Sequence, residues 1–205
     1  MIVFKVTYLL ILSFLIGGIP TGYLIIKVVH KKDLRNIGSG NIGFANVVRT
    51  AGLFSGIVVL VVDSGKAFCA AYYLSRLFDE VFLYRLLFGI TLILGNIFTP
   101  FLKFKGGKGV AAGLGVALAF SPYSVLFSLG AFLLTLLITQ FISLGSLIAA
   151  AIFVASNILF YVYAGKDVYS LLFSALLFLA IVIRHTSNIK RLIRGEENKF
   201  GNKKQ

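Results

Sequence analysis

The chain alternates long apolar stretches with short polar ones. Seven apolar segments can be marked: Val6–Ile26, Gly52–Leu74, Val81–Ile97, Val110–Phe120, Tyr123–Thr139, Ser143–Tyr163 and Val168–Ile183. Most come close to the ~20 residues that a helix needs to cross the hydrocarbon core of a bilayer. The fourth is shorter, and could instead join the fifth in one helix kinked at Pro122. The pattern predicts an all-α fold, a polytopic bundle of transmembrane helices. No small-residue cleavage site follows the first segment. Pro20-Thr21-Gly22-Tyr23 leads straight into further apolar residues, so the segment reads as a first span and not as a removed signal peptide.

Charge decides between the two ways of counting spans. With seven, one face receives Lys27, Lys31, Lys32, Arg35 and Arg49, then Lys103, Lys105 and Lys108. The same face then receives Arg184, Lys190, Arg191, Arg194, Lys199, Lys203 and Lys204, fifteen of the twenty basic residues in all. Merging the short segment would send the seven tail charges to the opposite face, against the positive-inside tendency. The expected topology is therefore seven spans, with the N-terminus outside and the C-terminus cytoplasmic.

Composition agrees with a membrane protein. Hydrophobic residues make up 59% of the 205 residues and charged ones 13%, too apolar for a soluble core of this size. No polar domain remains, so residues 1–205 read as a single integral membrane domain with its site inside the bundle or at its rim. The net charge of +13 would suggest a nucleic-acid partner in a soluble chain; here orientation is the plainer reason, and no nucleic acid is expected. Cys69 is the only cysteine and His30 and His185 are the only histidines. That leaves no disulfide framework and no apparent metal site. There is no clear internal repeat, and the tail after Gly195 reads as polar and frayed.

Three segments stand apart from the lipid-like background: Asp33–Gly52, Phe101–Gly115 and Arg184–Glu197. All fall on the expected cytoplasmic face. Gly38-Ser39-Gly40, followed by Asn41, and Gly106-Gly107-Lys108-Gly109 are backbones that can present N–H groups to an anion without side-chain obstruction. Helices begin near them, and helix N-termini favour anions. Arg49 and Lys108 add positive side chains suited to phosphate. The plainer alternative is that these glycines only allow tight turns. No nucleotide-binding loop is present, because the spacing and the following Ser or Thr are missing. His185 and Asn188 lie three apart at the end of the last helix, hence on one face, as a ligand-orienting pair or an interfacial anchor. Asp63 and Lys66, inside the second span, read as an ion pair tying helices together. Ser143 and Ser146 could cap the sixth helix or contact a ligand, and capping is the plainer reading.

The three segments resemble the PlsY family, bacterial membrane acyltransferases that make lysophosphatidic acid from glycerol 3-phosphate and an acyl phosphate. The matching residues are IPTGYLI with GSGNIG and Asn46-Val47-Val48-Arg49, then FLKFKGGKGVAAGLG, then RHTSNIKRLIRGEE. The resemblance implies that Ser39, Arg49, Lys108, His185 and Asn188 line the substrate site, with Ser146 beside them. Gly38, Gly40, Asn41, Gly106, Gly107 and Gly109 are then the phosphate-binding backbone. It also implies seven helices in the bacterial cytoplasmic (inner) membrane and no cofactor, metal or coenzyme A. The site would lie on the cytoplasmic face, in a monomer surrounded by lipid. Two departures are visible. The second motif usually begins Gly-His with an earlier proline, and here reads Gly95-Asn96 with Pro100. The first has Phe44-Ala45 where Ala-Thr is common, and Gly18 where Ser is common.

The implied reaction needs no enzyme nucleophile, because an acyl phosphate is already activated. It needs two anionic head groups held, a hydroxyl aligned on a carbonyl, and the developing oxyanion stabilised. The proton acceptor is either His185 or a substrate phosphate oxygen. A transporter for a phosphorylated solute is the rival class, but it would place such groups near the midplane between repeats. A lipid-binding protein without catalysis is the third reading.

Overall fold

A computed structural model of the chain describes residues 1–79 and 81–200. Lys203 and Lys204 of the expected charge cluster lie outside the described residues. Among those described there is no strand. The helices are α1 (Ile2–Gly18), α2 (Thr21–His30), α3 (Phe44–Ser75), α4 (Val81–Ile97) and α5 (Val110–Phe120). They continue as α6 (Pro122–Thr139), α7 (Ile142–Ala164), α8 (Val168–Arg184) and α9 (Thr186–Ile193). They form two compact units, Met1–Phe120 and Ser121–Gln205.

In the first unit, α1 runs along α4, and α3 packs on both α4 and α5. Small residues permit the close approach of α1 and α4, since a Cβ on Gly17 would run into the Leu92 carbonyl and one on Gly95 into that of Phe14. The first apolar segment is not one helix. It breaks at Ile19-Pro20, where proline removes an N–H and leaves backbone oxygens without helical donors. Lipid cannot hydrate such a break. Lys66 Nζ donates to the Ile19 carbonyl at 2.6 Å and pairs with Asp63 Oδ1 at 2.6 Å. Thr21 Oγ1 donates to the same Asp63 oxygen at 2.7 Å. The expected Asp63–Lys66 pair thus exists, and it ties α3 to the α1–α2 break.

The second segment also differs from its sequence reading. Helix begins at Phe44, and Gly52, at φ 87° and ψ 170°, interrupts it. Phe44–Ala51 is a short lead-in helix with Asn46, Val47 and Val48 buried, so Arg49 sits on helix and not in an irregular loop.

In the second unit α6 and α7 make a hairpin through Gln140, whose left-handed φ of 60° ends α6, and α8 packs on α7. Ser121 Oγ donates to Asn157 Oδ1 at 2.8 Å and accepts from Lys166 Nζ at 2.6 Å. Asp167 caps α8 by accepting the Ser170 N–H at 2.7 Å. Interior positions here are small and hydroxylic, such as Ser124, Ser156 and Ser174, whereas Leu134, Leu137 and Ile138 face outward. That inversion suits a chain whose solvent is lipid.

Among the described residues, five helical stretches are long and apolar enough to cross a membrane, and six if α8 with α9, bent by 61°, counts as one. The difference from the expected seven is α5. Its 11 residues reach only about 16 Å at ~1.5 Å per residue, against a core of ~30 Å.

Candidate functional site

In the first unit the polar segment after α2 is built around two side chains. Asp33 Oδ1 accepts the Arg35 N–H at 2.9 Å, and Arg35 Nη2 lies 2.6 Å from Asp33 Oδ2. These bonds from the Arg35 side chain and backbone hold the Asp33 carboxyl down at about 2. They close a 3-10 turn, Leu34–Asn36, whose Leu34 is fully buried with Tyr23, Ile26, Val47 and Val59. The second side chain is Asn46, in the first turn of α3 and 1% exposed. Its Oδ1 accepts the Ser39 N–H at 2.9 Å, and its Nδ2 donates to the carbonyls of Ile37 at 3.0 Å and Leu34 at 3.3 Å. A Cβ on Gly38, at φ 63°, would strike the Asn46 amide oxygen, so the chain can wrap this closely only with glycine there. Arg49 follows Asn46 by three residues and shares its helix face. Asn46 thereby sets the Ser39 backbone relative to the helix that carries Arg49. Asn41 Oδ1 accepts the Gly43 N–H at 2.9 Å and orders the entry to α3.

The second glycine segment folds back onto the end of α4. Gly106 N–H donates to the Ile97 carbonyl at 3.0 Å and Gly107 N–H to the Asn96 carbonyl at 2.9 Å. Gly109 N–H donates to Asn96 Oδ1 at 3.2 Å. The Asn96 and Ile97 main-chain oxygens are last-turn carbonyls of α4, which a helix leaves unpaired, and the third acceptor is the Asn96 side chain. Lys108 sits between two glycines fixed in this way.

These bonds change the reading of the glycine segments. Sequence alone suggested N–H groups turned toward an anion. The N–H groups of Ser39, Gly106, Gly107 and Gly109 instead donate within the protein, as does that of Gly40, to the Ile37 carbonyl at 3.1 Å. The segments hold the backbone around Ser39 and Lys108 in place, and these N–H groups are already engaged within the protein.

In the second unit the groups converge on Glu197, which sequence reasoning passed over. Its side chain is fully buried. Oε1 accepts from Asn188 Nδ2 at 2.7 Å and Ser143 Oγ at 3.0 Å, and Oε2 accepts from Arg191 Nε at 2.7 Å. Burial works to raise its pKa, but the bonds from Arg191, Asn188 and Ser143 outweigh it and hold the carboxyl below its ordinary 4.5. Three corrections follow. The tail after Gly195 is docked at least to Phe200, whose N–H bonds to the Gln140 carbonyl at 2.6 Å. Ser143 does not cap α7, since it reaches Glu197, and Ser146 Oγ turns back to the Ile142 carbonyl at 2.9 Å. His185 and Asn188 do not share one continuous helix. His185 is the joint where the chain turns 61° from α8 into α9, and Asn188 lies in α9. Both are buried. His185 Nδ1 lies 2.8 Å from the Ile181 carbonyl. A carbonyl can only accept, so this contact places the proton on Nδ1 and makes Nε2 the acceptor of the neutral ring.

A family model for glycerol-3-phosphate acyltransferase matches residues 7–195, a range that runs through both units. A glycerol-3-phosphate acyltransferase of Prochlorococcus marinus (strain MIT 9312) is 42% identical over 94% of this chain and 96% of its own length. Glycerol-3-phosphate acyltransferase 2 of Bacillus anthracis is 41% identical over 93% and 97%. Among solved structures, the glycerol 3-phosphate form of PlsY, an integral membrane glycerol 3-phosphate acyltransferase, superposes with a TM-score of 0.86 at 37% identity over 96% of both chains. The lysophosphatidic acid form of PlsY gives 0.83 at 35% identity over 96% of this chain and 95% of that one.

Proposed function

The chain belongs to the glycerol-3-phosphate acyltransferase family, and from that premise we propose that it acylates the 1-hydroxyl of glycerol 3-phosphate with an acyl phosphate. The hydroxyl oxygen attacks the acyl carbon, the carbon–phosphate oxygen bond breaks, and lysophosphatidic acid and inorganic phosphate leave. The observation that carries this reading is the pair of locked basic positions in the first unit. Arg49 shares a helix face with the asparagine that holds Ser39, and Lys108 stands between two glycines fixed to the end of α4. Fixed cations suit phosphate-bearing substrates, because they need not reorganise as charge develops. The donor is tested by supplying purified protein with glycerol 3-phosphate and either acyl phosphate or acyl-coenzyme A. Lysophosphatidic acid should form with the first only, and equal use of the thioester would overturn the donor assignment.

His185 contacts the substrate hydroxyl. We assign it to positioning, because the leaving phosphate can take the proton. His185→Gln should then keep much of the turnover while raising the Michaelis constant for glycerol 3-phosphate. A general base would instead cost roughly 10²–10⁴ in turnover. A thousandfold fall with unchanged substrate binding would make His185 the base.

The proposed topology is seven spans in the cytoplasmic membrane, N-terminus outside and basic segments cytoplasmic, in a protein acting as a monomer. α5 is the seventh. It serves despite its length because protein groups meet it at each end, Asn96 at the preceding Gly109 N–H and Arg85 Nη1 at the Ala119 carbonyl at 2.7 Å. Single cysteines in a Cys69→Ser background test this. Asn36, Lys105 and Glu196 should be shielded from an impermeant reagent in intact cells, and Asp79 should be labelled. Labelling of Lys105→Cys from outside would contradict the topology.

A further inference from the structure

Asn96 makes contacts that the reaction as described does not use. Its backbone oxygen accepts the N–H of Gly107 and its side-chain Oδ1 accepts the N–H of Gly109. The two residues flanking Lys108 are therefore held by one residue, once through main chain and once through side chain. The fit is close. A Cβ on Gly107 would stand 3.0 Å from Asn96 Oδ1, and Gly109 takes a left-handed φ of 79° that favours glycine as the chain leaves this contact for α5. The main-chain bond would survive any substitution at 96, whereas the second depends on an acceptor at the end of a short side chain. Without it, the Gly109 N–H loses its partner, and only the Gly109 carbonyl, which accepts the Gly113 N–H at 2.7 Å, still ties the residue after Lys108 to the fold.

We propose that Asn96 is a positioning residue for Lys108: its amide oxygen sets the direction in which the lysine meets a substrate phosphate. This rests on the reading that Lys108 binds such a phosphate. Asn96 itself touches no substrate. An asparagine amide suits the task, since it accepts a hydrogen bond at every working pH without adding charge beside the lysine.

The test is a double-mutant cycle read as Michaelis constants and turnover. Asn96→Ala keeps the helix and deletes the acceptor. It should raise the Michaelis constant of the same phosphate-bearing substrate that Lys108→Ala raises, by about tenfold, the scale of one lost hydrogen bond plus loosened placement. Asn96→Asp, which keeps an acceptor, should restore most of it. In the Lys108→Ala background, Asn96→Ala should add nothing further. If Asn96→Ala fails to fold, Asn96→Leu takes its place, with the side chain's bulk kept and the acceptor gone. Wild-type constants in Asn96→Ala beside a crippled Lys108→Ala would overturn the proposal and leave Lys108 in its role. A double variant weaker by the product of the two single effects would overturn it too, because Asn96 would be acting through something else. Wild-type activity in Lys108→Ala would remove the lysine from the reaction and this proposal with it.

Discussion

Lys108→Ala and Arg49→Ala enzymes are each expected to lose about 2–4 kcal/mol of transition-state stabilisation, roughly thirty- to nine-hundredfold in kcat/KM. The size follows from how each charge is mounted. Lys108 projects from a glycine segment bonded to the end of α4, and Arg49 from the lead-in helix that also carries Asn46. The bonds that hold each mount are made by Asn46, Asn96 and the glycine N–H groups, so the loss should appear chiefly in catalysis. Charge-keeping exchanges should separate the two roles. Arg49→Lys keeps the charge but loses the two-pronged guanidinium, whereas Lys108→Arg keeps charge on a different shape. Both should fall between wild type and alanine. Wild-type kcat/KM in either alanine variant removes that residue from the site.

Glu197→Ala should destabilise the protein by roughly 2–4 kcal/mol, because three donors lose their acceptor at once. Arg191 tempers the figure, since its side chain is one-third exposed and water can take over part of its partner's place. Glu197→Gln keeps an oxygen for Ser143 and Asn188 and should cost less. The same carboxylate sets an acid limit. Its folded pKa is depressed below 4.5, so its stabilisation is complete above that value and is lost as pH falls through the lower folded value. Unfolding in detergent, followed by temperature and pH, checks both statements. An unchanged melting temperature in Glu197→Ala would show that the tail contributes nothing to the second unit.

Much of this architecture is legible in the sequence, and the exceptions have physical causes. Val81–Ile97 and Val110–Phe120 are helices with the bounds that apolar patterning gives, because the apolar run ends where glycine, proline or polar residues begin. The break at Pro20 is less legible, since neighbouring apolar residues hide it and its repair comes from Lys66, far along the chain. The lead-in helix Phe44–Ala51 is hidden for a similar reason. Its polar residues look like loop, whereas Asn46 points inward and is satisfied there by its own hydrogen bonds.

The candidate residues of each unit divide in the same way. Ser39, Arg49, Lys108, His185 and Asn188 stand out because charged and hydroxylic groups are rare in such a chain. Their supports do not stand out. Glu197 looks like one acid in a basic tail until its three donors are seen together. The glycines of both segments suggest open N–H groups, and only the fold shows that carbonyls and asparagine amides already accept from them. A sequence motif marks where backbone is permissive. It does not say which acceptor the backbone will find.

The central claim is transfer from an acyl phosphate to glycerol 3-phosphate by fixed cations. Its most direct test follows inorganic phosphate and lysophosphatidic acid together, with purified protein and both substrates present. Equal amounts of the two products are expected, with no phosphate release without glycerol 3-phosphate and loss of both products in Lys108→Ala. Phosphate release that continues without the acceptor, or that leaves no lysophosphatidic acid behind, would contradict it.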